Sequence, residues 1–389
     1  MKKIYLLLLL NSLIGIAQIP AGYYDTANGT GYTLKTQLKR IINSANDGLS
    51  PEFFHVDRGY GSGASQTNNG LWSAYGTTDR DNGIGFENDN TIVDIYSENP
   101  SGADPYNYLF NSSQCGNVGP EGTCYNREHL IPQSYFGGSN PPSQFAIMRN
   151  DVHHVYPTDG RVNGTRSDFA FGKVNVASST SLNGSKLGSA LNSGYSAGFS
   201  GTVFEPIDEF KGDIARVFLY FGTRYEDEMD DLYTTYTTVD TRVMFDGSTD
   251  KVFSPTFLNI LLTWHEQDPV STKEIIRNNA SYVHQSNRNP FIDHPEYVAM
   301  IWGTSLSTDD FFNSAFSIYP NPSNGNFRID YDSTIGDINV EIYSTIGQKV
   351  FEKENINDNT VSTSGLQTGV YFVKINKDSK SIVKKIVIN

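Results

Sequence analysis

Three side chains with complementary chemistry recur close together in this chain. Glu128 and His129 are adjacent in Asn126-Arg127-Glu128-His129-Leu130-Ile131-Pro132, and Asn163 stands in Arg161-Val162-Asn163-Gly164-Thr165-Arg166, with Asp151-Val152-His153-His154 between them. Hydrolysis of a phosphodiester requires an attacking water to lose a proton, the charge on the phosphoryl oxygens to be stabilised and the leaving oxygen to be neutralised. An imidazole, with its ordinary pKa of about 6.5, suits the first task. His129 is therefore the expected general base. Glu128 and Asn163 offer a carboxylate and an amide oxygen, and that donor set leaves most positions of a divalent cation open to water and phosphate. Mg²⁺ fits best, with Ca²⁺ and Mn²⁺ as alternatives. A lone His beside a Glu is, by itself, more often a satisfied surface pair, and one of His153 and His154 is expected to donate to a backbone carbonyl. The absence of His-Glu-x-x-His disfavours zinc protease chemistry.

The elements that must position these groups are short. Glu128 to Ile131 reads as a strand and Val152 to Tyr156 as its antiparallel partner, followed by a helical pattern from Val162 to Phe171 that would start near Asn163. Adjacent residues of a regular strand point to opposite faces, so the strand must end or twist at Glu128-His129 for both to serve one site. Around this unit, Thr33 opens an amphipathic helix with Leu34, Leu38, Ile41 and Ile42 on one face, and Asp208 caps another carrying Phe210, Ile214, Val217, Phe218 and Phe221. Ser254-Pro255 starts a third helix, and Ser271-Thr272-Lys273-Glu274 is a capping box that starts a fourth. Residues 175 to 201, rich in Ser, Gly, Asn and Ala, read as a long exposed loop.

The ends of the chain set its context. Lys2 and Lys3, an apolar run to Ile16 and the small-residue ending at Ala17 form a secretory signal, residues 1–17, too short to span a bilayer. In an exported chain the 2 cysteines, Cys115 and Cys124, are expected to form a disulfide. From residue 316 the pattern changes to short alternating strands with Gly, Asn and Ser turns, a small β-sandwich spanning 316–389. Its eight basic and eight acidic residues cancel, and the signal contributes plus two, so the net charge of −14 leaves −16 on residues 18–315. An acidic body argues against a tight, sequence-reading nucleic-acid binder. A hydrolase that holds phosphate through a cation and local arginines is compatible with it. In Glu226-Asp227-Glu228-Met229-Asp230-Asp231 a solvated helix end is favoured over a calcium cage.

Five spaced motifs resemble the bacterial endonuclease I family, secreted or periplasmic nucleases of the His-Me finger (ββα-metal) class. They are Arg127 to Pro132, Asn150 to Pro157, Val162 to Arg166, Lys211-Gly212-Asp213-Ile214-Ala215-Arg216 and Asn287-Arg288-Asn289-Pro290-Phe291. The resemblance implies an α+β fold, a ββα-metal nuclease core with surrounding helices. It assigns His129 as base and Glu128 with Asn163 as metal ligands, and it implies cleavage of DNA, and of RNA too, with little sequence preference and 5′-phosphate products. Arg166 and Arg216 are candidates for gripping the phosphate. The tail resembles the type IX secretion C-terminal sorting domain through Pro320-Asn321-Pro322, Ile342 to Gln348, Gly369-Val370-Tyr371 and Lys384-Lys385, with Ser344 and Gln348 where that family commonly has Asp and Arg. The implied partners are a nucleic-acid substrate and the type IX secretion machinery, with no stable membrane insertion and a monomeric state. The domain reading is a signal over 1–17, an N-terminal helical segment over 18–59, a catalytic domain over 60–310 and the sorting domain over 316–389. A non-enzymatic surface adhesin or glycan-binding protein is the alternative, and loss of turnover in His129→Ala separates the two.

Overall fold

The computed structural model describes residues 19–43, 55–61, 70–82, 87–115, 119–137, 141–237, 240–303, 316–331, 337–356, 360–362, 365–377 and 380–389. The signal read over 1–17 lies outside them.

The apolar stripe noted from Thr33 forms α1 (Gly31–Ile42), which buries Leu34, Leu38, Ile41 and Ile42. These side chains join the same core cluster as Leu130, Val162 and Phe218, so α1 is part of the body's core rather than a separate segment. α2 (Gly70–Thr78), with no clear stripe in the sequence, packs Leu71, Trp72 and Tyr75 into a second cluster with Tyr125 and Val155. Next come β1 (Tyr125–His129), α3 (Phe145–Asn150), β2 (Val155–Asp159) and α4 (Gly160–Arg166). β1 and β2 pair antiparallel as a two-stranded sheet, with Glu128 opposite Tyr156 and His129 opposite Val155. The second strand thus begins at Val155, and Val152 to His154 form the turn before it, where His154 N–H donates to Asp151 O. The helix expected over 162–171 ends at Arg166.

A four-stranded sheet follows, built from β3 (Ala170–Phe171), β4 (Val174–Thr180), β5 (Lys186–Ala190) and β6 (Thr202–Glu205) in the order β3-β6-β5-β4. The expected loop over 175–201 is therefore largely a β-hairpin. Its outer strand is exposed at every position after Val174. With neither face of that strand buried, no apolar alternation is required and none is present in the sequence.

The back half is helical, as expected: α5 (Lys211–Arg224), α6 (Met229–Thr235), α7 (Pro255–Gln267), α8 (Thr272–Gln285), α9 (Pro290–Asp293) and α10 (Glu296–Trp302). α5 is buried on nearly every face and packs against α1 and α7. Full burial of each Phe, Leu or Ile along it is worth about 1.5–3 kcal/mol, which makes α5 the axis on which the other helices settle. Ser271 forms both halves of the expected capping box with Glu274. Asp208 does not cap α5; it sits in a 3-10 turn before the helix, where its carboxylate takes the Lys211 ammonium. Nor is the acidic run at 226–231 simply solvated: Glu226 is buried and paired with Lys35 at 2.6 Å and Lys39 at 3.3 Å.

The tail is a separate sandwich of β7 (Ser317–Tyr319), β8 (Asn326–Asp330), β9 (Ile338–Ser344), β10 (Lys349–Ile356), β11 (Thr360–Ser362), β12 (Gly369–Lys377) and β13 (Lys380–Ile388). Sheets ordered β11-β8-β7 and β10-β9-β12-β13 share one apolar core that includes Phe327, Ile329, Val340, Ile342, Val373 and Ile386.

Candidate active site

The conflict between adjacent Glu128 and His129 is resolved by where the strand stops. His129 is the last residue of β1, and from Leu130, whose N–H donates to His154 O, the chain leaves the ladder. Both side chains then line one cleft of about 340 Å³ with Arg127, Asn163, Arg166 and Asp168 among its walls.

Asn163 reaches the cleft from the first turns of α4, whose start is heavily anchored. The Asp159 carboxylate caps the helix by accepting from Arg161 N and Val162 N at 2.7 and 2.8 Å, and also accepts from Gly122 N. The cysteines form the expected disulfide, Cys115–Cys124. It lies against Gly160, the first residue of α4, where an added Cβ would sit 2.9 Å from Cys115 Sγ. Asn163 turns its amide N–H toward Arg127 O at 3.5 Å, and its Oδ1 has no protein partner among the described residues.

Glu128 is buried, 3% exposed. Tyr96 OH at 2.9 Å and Arg166 Nη1 at 3.1 Å both donate to its Oε1, while Oε2 has no hydrogen-bond partner among the described residues. Burial pushes its carboxyl up to about 7, against the opposing pull of the Arg166 guanidinium and the Tyr96 hydroxyl. A carboxylate held by one oxygen and left open at the other, in the same cleft as an unpartnered amide oxygen, offers hard-oxygen donors of the kind a divalent cation takes.

His129 Nε2 lies 3.1 Å from Arg149 O. A carbonyl can only accept, so Nε2 carries the proton and Nδ1 is left as the basic nitrogen. Burial, and then the neighbouring His154, Arg149 and Arg127, push its pKa down to about 3, so the ring is neutral across the physiological range. Tyr60 stacks on the imidazole with centroids 5.8 Å apart, and Phe136 meets it edge-on at 5.9 Å. His153 and His154 each place a ring nitrogen against a backbone carbonyl, Asn287 O and Met148 O, so both act in holding the turn.

Arg166 lines the cleft but its guanidinium is directed inward. Besides Glu128, it donates to His129 O at 3.0 Å and Leu130 O at 2.6 Å, clamping the end of β1. Arg216 is not brought to the site. It is buried in α5, paired with Glu274 at 2.5 and 2.7 Å and bonded to Asp268 O at 2.8 Å. A neighbouring cavity of about 280 Å³ is lined by Asp213, Asp268 and Glu274 among others, the wrong charge for a phosphate. The expectation that Arg216 grips substrate is corrected: the cation is consumed by a buried carboxylate.

Two cations near His129 had no assigned role in the sequence. Arg127 places its guanidinium 3.6 Å from the Tyr60 ring centroid, and Arg149 lies 3.8 Å from the same ring. Arg127 is further held by Tyr60 O and Gly61 O at 2.9 and 2.7 Å. Its place next to Glu128 in the sequence was a signal for it; Tyr60, far upstream, offered none.

An antiparallel strand pair feeds a helix, and an acid, a histidine and an amide from the strand end and the helix start line one cleft, the arrangement that the sequence resemblance implies. The chain belongs to the Endonuclease I family, whose model matches residues 30–296, and a secretion system C-terminal sorting domain matches residues 317–389. It is 32% identical over 286 residues to an extracellular ribonuclease of Bacillus amyloliquefaciens, covering 72% of this chain and 78% of that protein, and equally to one of Bacillus subtilis (strain 168). Endonuclease-1 of Buchnera aphidicola subsp. Baizongia pistaciae (strain Bp) is 24% identical over 177 residues, covering 42% of this chain and 60% of that protein. The protein is an endonuclease, secreted or at the cell surface, and no helix among the described residues is long and apolar enough to cross a membrane.

Proposed function

We propose that this endonuclease hydrolyses phosphodiester bonds of DNA and RNA without sequence preference, using one divalent cation held by Glu128 and Asn163, and His129 as general base. The observation that carries this reading is the one cleft lined by Glu128, whose Oε2 has no partner among the described residues, by Asn163, whose Oδ1 has none there either, and by His129. A divalent cation there, Mg²⁺ by its preference for few protein oxygens and several waters, supplies charge neutralisation at the phosphoryl and leaving oxygens.

His129 Nδ1 accepts the proton of the attacking water, while the Arg149 carbonyl fixes the tautomer that keeps Nδ1 free. With its pKa pushed down to about 3, the imidazole is fully available as a base but a weak one, so charge stabilisation at phosphorus has to do much of the remaining work. Tyr96 and Arg166 hold Glu128 in one orientation. Arg127 and Arg149, packed on Tyr60, place positive charge beside the cleft in a body that is otherwise acidic. That local charge supports phosphate binding with no extended basic surface for reading bases. The names of the extracellular ribonucleases support RNA as a substrate, and that of endonuclease-1 supports internal cleavage of a chain.

Plasmid DNA and RNA are incubated with the wild type and His129→Ala, in Mg²⁺ and in chelator. Cleavage of both polymers that needs the cation and falls by about 10²–10⁴ in the folded variant is expected. Wild-type rates in the variant, or undiminished cleavage in chelator, would overturn the assignment.

A further inference from the structure

Away from the cleft, the side chains of Glu87, Glu98 and Asp104 converge so that one oxygen from each lies within 4.8 Å of the others. Glu98 is 2% exposed, and its Oε1 is fully buried without a hydrogen-bond partner among the described residues. A buried carboxylate without a donor is costly, and the usual resolutions are uptake of a proton, a paired cation or a metal ion. Two further carboxylates face it, while Lys273, a nearby cation, is bonded to the Arg80 carbonyl at 2.6 Å and paired with Asp81 at 3.7 Å. The backbone is preset: Asn99 N–H donates to Asp104 Oδ1 at 2.7 Å, Glu98 N–H to Asp94 O at 2.7 Å, and Asn183 Nδ2 to Glu98 O at 3.2 Å.

We propose that Glu87, Glu98 and Asp104 form a structural calcium site, separate from the catalytic cleft. All three donors are hard oxygens, with no histidine or cysteine to favour zinc or copper. Three carboxylates suit the oxygen-rich shell of Ca²⁺, whereas Mg²⁺ is usually held by one or two carboxylates and several waters. The site fastens the turn that supports the catalytic unit. Within that turn Tyr96 OH holds Glu128 at 2.9 Å, and Asp94 Oδ2 accepts from the N–H of Asp159, the cap of α4, at 2.6 Å. Bound calcium therefore stiffens the two residues behind the β1 end and the α4 start without touching substrate.

The test uses the full chain with Asn163→Ala to remove a ligand of the catalytic cleft, stripped by chelator and dialysed against calcium. About one calcium per chain by atomic emission, with a raised unfolding midpoint, is expected. Adding Glu98→Gln should abolish that binding, and adding Glu87→Gln, an exposed position that leaves the core intact, should weaken it by roughly tenfold or more. In chelator Glu98→Gln should be at least as stable as its parent, because a repelled buried charge is gone, and in calcium the order should reverse. No calcium retained in the Asn163→Ala chain, equal binding in all three proteins, or an equal midpoint rise with magnesium would overturn the proposal.

Discussion

Replacing Arg166 with Met separates a clamp from a phosphate ligand. The guanidinium is fully buried and donates to Glu128 Oε1 at 3.1 Å, His129 O at 3.0 Å and Leu130 O at 2.6 Å. Removing one member of a buried pair typically costs about 3–5 kcal/mol, because the other charge is left behind, and replacing both is far milder. Arg166→Met should therefore lose about 3–5 kcal/mol in urea unfolding with chelator present. Glu128→Gln/Arg166→Met should recover part of that, with a coupling energy of about 1–3 kcal/mol across the double-mutant cycle. On the proposed role of Glu128 as a cation ligand, cleavage should fall in both variants. An Arg166→Met protein within about 1 kcal/mol of wild type, with additive effects and a raised KM alone, would mean that the guanidinium serves substrate and not the strand end.

Other consequences follow from elements around the site. The loop closed by Cys115–Cys124 contributes about 2–3 kcal/mol through the unfolded chain, so Cys115→Ala/Cys124→Ala should lose that much and also bind the cleft's cation more weakly, as α4 loosens at Gly160; calorimetry and metal titration check both. Glu205 accepts from Lys211 at 2.6 Å, Lys173 at 2.9 Å and Val174 N at 2.9 Å. Burial alone would raise its pKa, but the Lys211 ammonium and these hydrogen bonds hold it below the ordinary 4.5. Its stabilisation is thus present above about pH 4.5 and lost as pH falls through the lower folded value, so Glu205→Gln should be less stable than wild type at pH 7 with the gap closing in acid. A gap in unfolding midpoint that is constant with pH would contradict this. Ser271→Ala removes one half of the capping box of α8, and should cost about 0.5–2 kcal/mol in urea unfolding with cleavage unchanged.

Much of the site was legible in the chain because its parts are local. Glu128 and His129 are adjacent, Asn163 follows within one strand-turn-helix unit, and the two cysteines flank the loop before it, so their spacing together with the ordered family motifs pointed to one place. The stripe of α1, the capping box of α8 and the alternation of the tail were readable for the same reason: each is a periodic or short-range signal. The hairpin over β4 and β5 was not, because β4 is solvated on both faces beyond Val174 and β5 buries little more than Gly188, so neither carries a clear apolar pattern.

By itself, the sequence determined the residue types that line the cleft, the order of the finger's elements, the export signature and the expected disulfide. Only the tertiary structure decided which arginine does what. A guanidinium looks the same in a motif whether it meets a phosphate or a buried carboxylate, and the choice depends on partners far along the chain: Glu128 for Arg166, Glu274 for Arg216, and Tyr60 for Arg127 and Arg149. The convergence of Glu87, Glu98 and Asp104 likewise exists only after folding, since nothing in their spacing shows that the middle one is buried.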